Sequence, residues 1–410
     1  MHHVNKRLLN HDMVAEGLIR LTNWFGCHEI WDCCMAFIVG PIFEESYAIR
    51  SALIAERVLS IGQARKVAHA FCKRAMKTQG VVEENMYYMG YANQRNEEGI
   101  PACSCVADAS STAQAIVDTI QAHPESPGNG VYIKSLRSFV DYVLDRYTTK
   151  NGVIGVGILS HKINPWPEYW CANALFAPIL IGFGEITGEG KYLDAAVAPL
   201  EYLSRFNYAN DNSTWKTSPT ELIAYASEGL LAGLLSDKMQ SRLDQPPKGL
   251  TTASPDGAKK KSAPIDAPNR VRDTAHTAIP TEKQPRTLRA LLKSRWNEFA
   301  EWLYQNQDVN GVWQDPKDYR AYQLALSWTI LRASSGLGTN PRLERCAERQ
   351  LAYLLTQEAK SFFGLFCRPF ATANAHLSFA YAAEICMKQD SERFAKALSE
   401  AEMRIGDHLW

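Results

Sequence analysis

The sequence predicts an all-α protein built as six helical hairpins that close, or nearly close, into a ring. Three observations carry this. Apolar residues recur at helical spacing along most of the chain, while strict alternation of Val, Ile and Thr is rare. Amphipathic stretches alternate with stretches that are apolar nearly all round, and a helix without a polar face belongs in an interior. The alternation repeats six times, with a period of roughly 35 to 45 residues in all but one stretched unit.

In chain order the units are 46–80, 111–152, 173–215, 221–311, 322–364 and 374–410. Each reads as an inner helix, a turn, an outer helix and a loop. The inner type is clearest in Asn173-Ala-Leu-Phe-Ala-Pro-Ile-Leu-Ile-Gly-Phe-Gly184 and in Asn374-Ala-His-Leu-Ser-Phe-Ala-Tyr-Ala-Ala383. The outer type carries one apolar stripe. Leu136, Val140, Val143, Leu144 and Tyr147 form one; Leu292, Trp296, Phe299 and Leu303 another; Phe394, Ala397, Leu398, Ala401 and Ile405 a third. Between inner and outer helices, Asn340-Pro341 supplies an N-cap followed by proline at the first helical position. The closing loops Lys150-Asn-Gly-Val-Ile154 and Val309-Asn-Gly-Val-Trp313 are near copies in register. The fourth unit is stretched by 245–285, which holds seven of the chain's 19 prolines and the run Lys259-Lys260-Lys261. That composition cannot bury a core and is read as a disordered insertion within a single domain spanning 1–410.

Hydrophobic residues make up 46% of the chain and charged residues 21%, which excludes a mostly disordered protein. Lys+Arg and Asp+Glu both stand at 44, so there is no basic excess with which to coat nucleic acid or an anionic membrane. The ten cysteines do not read as a disulfide framework, and several lie in apolar stretches (Cys72, Cys346, Cys386). The first ten residues are polar and basic, and the apolar run 35–39 is too short and too far in for a signal h-region. No stretch looks long and apolar enough to span a membrane. A cytoplasmic protein with reduced thiols is expected.

The segment Ala177-Pro-Ile-Leu-Ile-Gly-Phe-Gly-Glu-Ile-Thr-Gly-Glu-Gly-Lys-Tyr-Leu-Asp-Ala-Ala196 resembles a hairpin of the six-hairpin glycosidases. Within that superfamily it is most similar to the unsaturated glucuronyl and rhamnogalacturonyl hydrolases. The resemblance implies an (α/α)6 barrel, an alpha/alpha toroid with the apolar helices as its inner ring, and a hydrolase of a sugar or unsaturated uronide. The family pattern places a catalytic Asp about one helical turn before the Asn that opens this inner helix. Here Tyr169 holds that place before Asn173, and Glu168 sits one position earlier. A second resemblance lies in Gln305-Asn-Gln-Asp-Val-Asn-Gly-Val-Trp313, which is similar to the Gln…Gly-x-Trp arrangement of triterpene cyclases and protein prenyltransferases. It implies a toroid of specialised metabolism acting on a terpenoid or polyketide, although the Asp-rich initiating motif and the zinc ligands of those families are not apparent.

In such a ring the loops leading into the inner helices open on one face, where a pocket can form. These loops are loaded with aromatics, carboxylates and amides, whereas opposite-side turns such as 60–63 and 339–342 are not. Trp31, Tyr88, His161, Trp166, Trp170, Trp215, Trp313, Arg320, Arg368 and His376 are the expected substrate-binding side chains. Ring faces suit sugars, and the guanidinium groups suit a carboxylate. Glycosidic chemistry asks for a carboxylic acid of raised pKa, usually with a second carboxylate. The acids nearest the inner-helix starts are Asp108, Glu168, Asp211, Glu221 and Asp318, with Asp108 and Glu168 the first choices. A carboxylate at a helix start can equally be a cap or an ion-pair partner, and a histidine there can equally be structural. Cys27, His28, Cys33 and Cys34 cluster, as do Cys103 and Cys105, but neither group has the Cys-x-x-Cys gap of a zinc site. No metal or cofactor is expected. The expected partner is a small molecule, a sugar or a hydrophobic metabolite. A ligand-binding toroid without activity remains the third reading.

Overall fold

In the computed structural model the described residues are 9–27, 42–59, 62–81, 83–87, 105–155, 169–206, 218–247, 287–314, 320–365 and 369–405. They form helices and the turns between them, and among them there are two isolated antiparallel bridges and no strand. The inner helices are α2 (Ile42–Leu59), α4 (Val106–Ala122), α6 (Trp170–Thr187), α9 (Pro219–Leu235), α12 (Arg320–Leu337) and α15 (Pro369–Gln389). Each packs on the next in this order, and α15 packs back on α2. The ring is closed.

The outer layer follows from hairpin connectivity. α3 (Gly62–Thr78) lies against α2 and α4, and α5 (Asn129–Arg146) against α4 and α6. The third outer element is split into α7 (Gly190–Ala195) and α8 (Val197–Arg205). α11 (Leu288–Gln305), α13 (Pro341–Leu354) and α16 (Ser391–Ile405) complete the set, with the short α10 (Gln240–Leu243) and α14 (Gln357–Phe363) as connectors. Two of the apolar stripes read from the sequence are buried in full, on α11 and α16; on α5, Leu136, Val140 and Val143 are buried together with Phe139, whereas Leu144 and Tyr147 are half-buried. Asn340 caps α13 as its sequence requires, its Oδ1 accepting the N–H groups of Arg342 at 3.1 Å and Leu343 at 3.4 Å.

The inner helices have no polar face because the ring surrounds them. Every residue of α6 from Trp170 to Gly184 is buried. By length and mean hydropathy α6 is apolar enough to cross a membrane, which corrects the expectation that no such stretch exists; most of it is enclosed by the ring. One helix has no place in the hairpin reading. α1 (His11–Cys27) packs on α16 and α15, and Thr22 Oγ1 lies 2.9 Å from Nε2 of His376. The first helix therefore closes on the last hairpin. The proposed insertion 245–285 lies almost entirely outside the described residues.

The two rhyming loops have one structure. Thr149 N–H donates to the Val153 carbonyl at 2.8 Å, and Asp308 N–H donates to the Val312 carbonyl at 2.9 Å. The bridges Thr148–Ile154 and Gln307–Trp313 stand at the same place in each. Both turns need the left-handed backbone, with φ of 79° at Gly152 and 89° at Gly311. At Gly311 space adds to conformation, since a Cβ would stand 2.5 Å from the Gln350 nitrogen. Gly311→Ala is expected to cost about 2–4 kcal/mol, combining backbone strain with a clash against fixed main chain. Gly338→Ala is the control: φ is 102° but nothing lies within 4 Å of a Cβ, so only about 1 kcal/mol is expected. Denaturant melts of both variants check this, and equal losses would remove the steric explanation.

Candidate functional site

In five of the hairpins a short turn joins the inner helix to its outer partner, and the six inner helices pack side by side in chain order, so their N-terminal turns share one mouth. Ring contacts across that mouth follow. Tyr47 of α2 and Tyr322 of α12 lie 5.2 Å and 5.7 Å from Phe370 of α15, and Tyr322 lies 5.3 Å from Tyr225 of α9, centroid to centroid. Tyr169 and Trp170 continue this aromatic wall at the start of α6.

Three carboxylates face one another across the same space. Glu44, Asp108 and Glu221 are each the third residue of their inner helix, in α2, α4 and α9. Asp108 is not a cap, because Cys105 occupies the N-cap of α4. A carboxylate at that helix position is ordinarily favoured in its charged form. Here burial, then the like charges of Glu44 and Glu221, push the Asp108 carboxyl up to about 7. Burial also raises Glu44. Glu221 has a second task as part of a cap, donating its N–H to Ser218 Oγ at 3.0 Å, with Pro219 at the first position of α9. Burial drives the Tyr169 and Tyr322 phenols upward, and the charges of Glu221 and Asp108 add to it. These hydroxyls stay protonated and able to donate hydrogen bonds.

Beneath the carboxylates runs a polar axis through the barrel. Tyr47 Oη donates to Glu228 Oε1 at 2.7 Å, and Arg50 Nη1 pairs with Glu228 Oε2 at 2.8 Å. Arg50 Nε reaches Asp118 at 3.2 Å, and the guanidinium lies over the Tyr47 and Trp328 rings at 5.0 Å and 5.7 Å. Arg50 and Glu228 are both buried, so the pair is held by its direct contact and by the further hydrogen bonds to Asp118 and Tyr47 rather than by solvent.

Of the expected site residues, Asp108 and Glu221 come together at the mouth. Trp170 is buried there, and its indole nitrogen has no hydrogen-bond partner among the described residues. Trp313 is fully buried and donates its indole N–H to the Leu303 carbonyl at 2.8 Å, so it seals the end of α11. His376 is buried between Thr22 and Ser51, which lie 2.9 Å and 3.0 Å from its ring nitrogens. Desolvation lowers it to about 3, so it is a neutral tie between α1, α2 and α15. Arg320 opens α12, but its side chain lies outside the described residues, as do Glu168, Asp211, Asp318, Trp31, Tyr88, His161, Trp166, Trp215 and Arg368. Glu44 was not among the expected acids. The signal for it is the register it shares with Asp108 and Glu221, visible only once helix starts are known.

No protein-family model matches the sequence, and no curated protein matches it. The fold is similar to the crystal structure of a possible member of the GH105 family from Salmonella enterica serovar Paratyphi A, with a TM-score of 0.56 at 10% identity. The superposition covers 92% of this chain and 96% of that one. The class is therefore fixed at the level of architecture: a closed (α/α)6 toroid like that of the possible GH105 protein.

Proposed function

We propose that the chain is a carbohydrate-active hydrolase of a sugar or unsaturated uronide, with Asp108 as its general acid. The observation that carries this is a carboxylic acid brought to about 7 in an aromatic-walled mouth beside two further carboxylates. An acid of that strength is half protonated near neutrality and can deliver its proton in the transition state. On an unsaturated uronide, Asp108 protonates the vinyl-ether double bond, and water adds to the resulting cation while Glu221 or Glu44 takes up the proton the water loses. On an ordinary glycoside the same proton goes to the leaving oxygen. The tyrosine faces bind the ring, and the Tyr169 and Tyr322 hydroxyls donate to it. A toroid similar to that of the possible GH105 protein supports this reading. The phenylalanine and tyrosine cluster around Phe370 favours, as a second reading, an apolar substrate isomerised or cyclised by the same acid.

The test is turnover by the wild type on unsaturated uronides and a panel of aryl glycosides, repeated with Glu221→Gln. If no member of either panel is turned over, the sugar reading falls. A ligand identified by native mass spectrometry as a terpenoid or polyketide would favour the second reading. The rate should fall as pH rises through about 7, where Asp108 loses its proton. Removing one like charge with Glu44→Gln should move that alkaline limb to lower pH by about half a unit to one unit. A limb that does not move would exclude Glu44 from the electrostatics of the acid.

A further inference from the structure

The opposite end of the ring, where the inner helices finish, holds a cavity that the proposed chemistry does not use. Its larger lobe, about 490 Å³, is walled by α4, α6, α9 and α12 and by the turn after α9. A second lobe of about 300 Å³ lies between α4, α5 and α6. Gln121 and Glu185 line both lobes, so the two adjoin.

The lobes differ in chemistry. The smaller is walled by Ile120, Pro124, Ile133 and Ile186. The larger carries both charges, Arg332 and Lys238 against Asp118, Glu185 and Asp237, with Asp118 already paired to Arg50. Arg332 lines it, and its guanidinium has no hydrogen bond or ion pair among the described residues. Glu185 accepts from Ser236 Oγ at 2.5 Å and from Gln121 Nε2 at 3.5 Å, but pairs with no cation among the described residues. Gln114 turns its Nε2 to Asp118 at 2.6 Å and leaves its Oε1 buried without a donor. No aromatic side chain lines either lobe, so the stacking face that a sugar ring would use is missing.

We propose that this two-lobed cavity binds a small zwitterion with an apolar body, the chemistry of an apolar amino acid or a dipeptide of such residues. The ligand carboxylate pairs with Arg332, its ammonium donates to Glu185, and its side chain fills the isoleucine lobe. The order of attachment is set by the shared Glu185, which stands where the polar and apolar lobes meet. The site is separate from the carboxylates of the catalytic mouth and holds whether or not the reaction proposed there is correct.

Isothermal titration of the full chain with L-leucine, L-phenylalanine and leucyl-leucine tests this. Saturable binding of at least one is expected. The free amino acids against the dipeptide distinguish the two sources, since the larger polar lobe has room for a second residue. N-acetyl-leucine, which lacks the ammonium, and leucine methyl ester, which lacks the carboxylate, should each bind at least about tenfold more weakly. Arg332→Met and Glu185→Gln should each cause a loss of similar size, with circular dichroism confirming that the variants are folded. Asp108→Asn should bind as the wild type does. The proposal is overturned by the absence of saturation with all three ligands up to about 10 mM. Binding that ignores both the blocked ligands and the two variants, or that is lost in Asp108→Asn, would overturn it equally.

Discussion

Asp108→Asn should lower turnover by about 100-fold or more and, in the same protein, raise stability at neutral and alkaline pH. The loss follows from removing the only proton donor assigned to the reaction. The gain follows from the same shift that suits Asp108 to that task. In the folded chain its carboxyl sits at about 7, against 3.8 for an unperturbed aspartate. Between those values the folded protein keeps a proton that the unfolded chain has released. Stability therefore falls as pH rises from about 4 to about 7, and the penalty is complete above that. Part of the side chain remains accessible, so solvent screening brings the penalty to about 2 kcal/mol rather than the full value of the shift. Asparagine has no charge to desolvate. For a chain of this length the variant should melt about 2–4 °C higher than wild type at pH 8, and the difference should vanish near pH 4. Melting curves at the two pH values, beside rate assays, measure both halves. A variant less stable than wild type at pH 8 would show that Asp108 is held by favourable contacts and is not a strained acid.

The largest loss of stability should come from Arg50→Met. Arg50 and Glu228 are buried with each other, and Asp118 and Tyr47 complete the network. Taking away the guanidinium leaves the Glu228 carboxylate without its counter-ion in the middle of the barrel, which costs about 3–5 kcal/mol. The double variant Arg50→Met, Glu228→Leu should regain much of that, because well-packed apolar side chains replace a buried pair at little net cost. Denaturant midpoints of wild type, single and double variants form the comparison. If the single variant is as stable as the double, the network contributes no mutual compensation, and the burial of these charges needs another explanation.

The parts of the molecule that the sequence made legible are those fixed by local spacing. The stripes on α11 and α16 emerge as buried faces, residue for residue, because an amphipathic helix has only one way to hide its apolar side; on α5 the buried face is Leu136, Phe139, Val140 and Val143, with Leu144 and Tyr147 half-buried at its edge. The Asn-Gly loops were recognisable as copies, and their hydrogen bonds coincide. Residues whose role depends on a distant neighbour were harder to place. Trp313 and His376 stand near the starts of inner helices in the sequence, and both are consumed by packing: one by a carbonyl on its own outer helix, the other by hydroxyls on α1 and α2. The α1 helix escaped the hairpin pattern because its partner is the far end of the chain.

The sequence by itself determined the six alternations of buried and amphipathic helix, and so the two-layered ring. Helical periodicity and apolar content are properties of short stretches. Only the tertiary structure decided which acid is perturbed. Glu44, Asp108 and Glu221 are far apart along the chain and unremarked as a set until three helix starts converge. A carboxyl near 7 is a property of that convergence, since burial and the fields of neighbouring charges depend on distances through space.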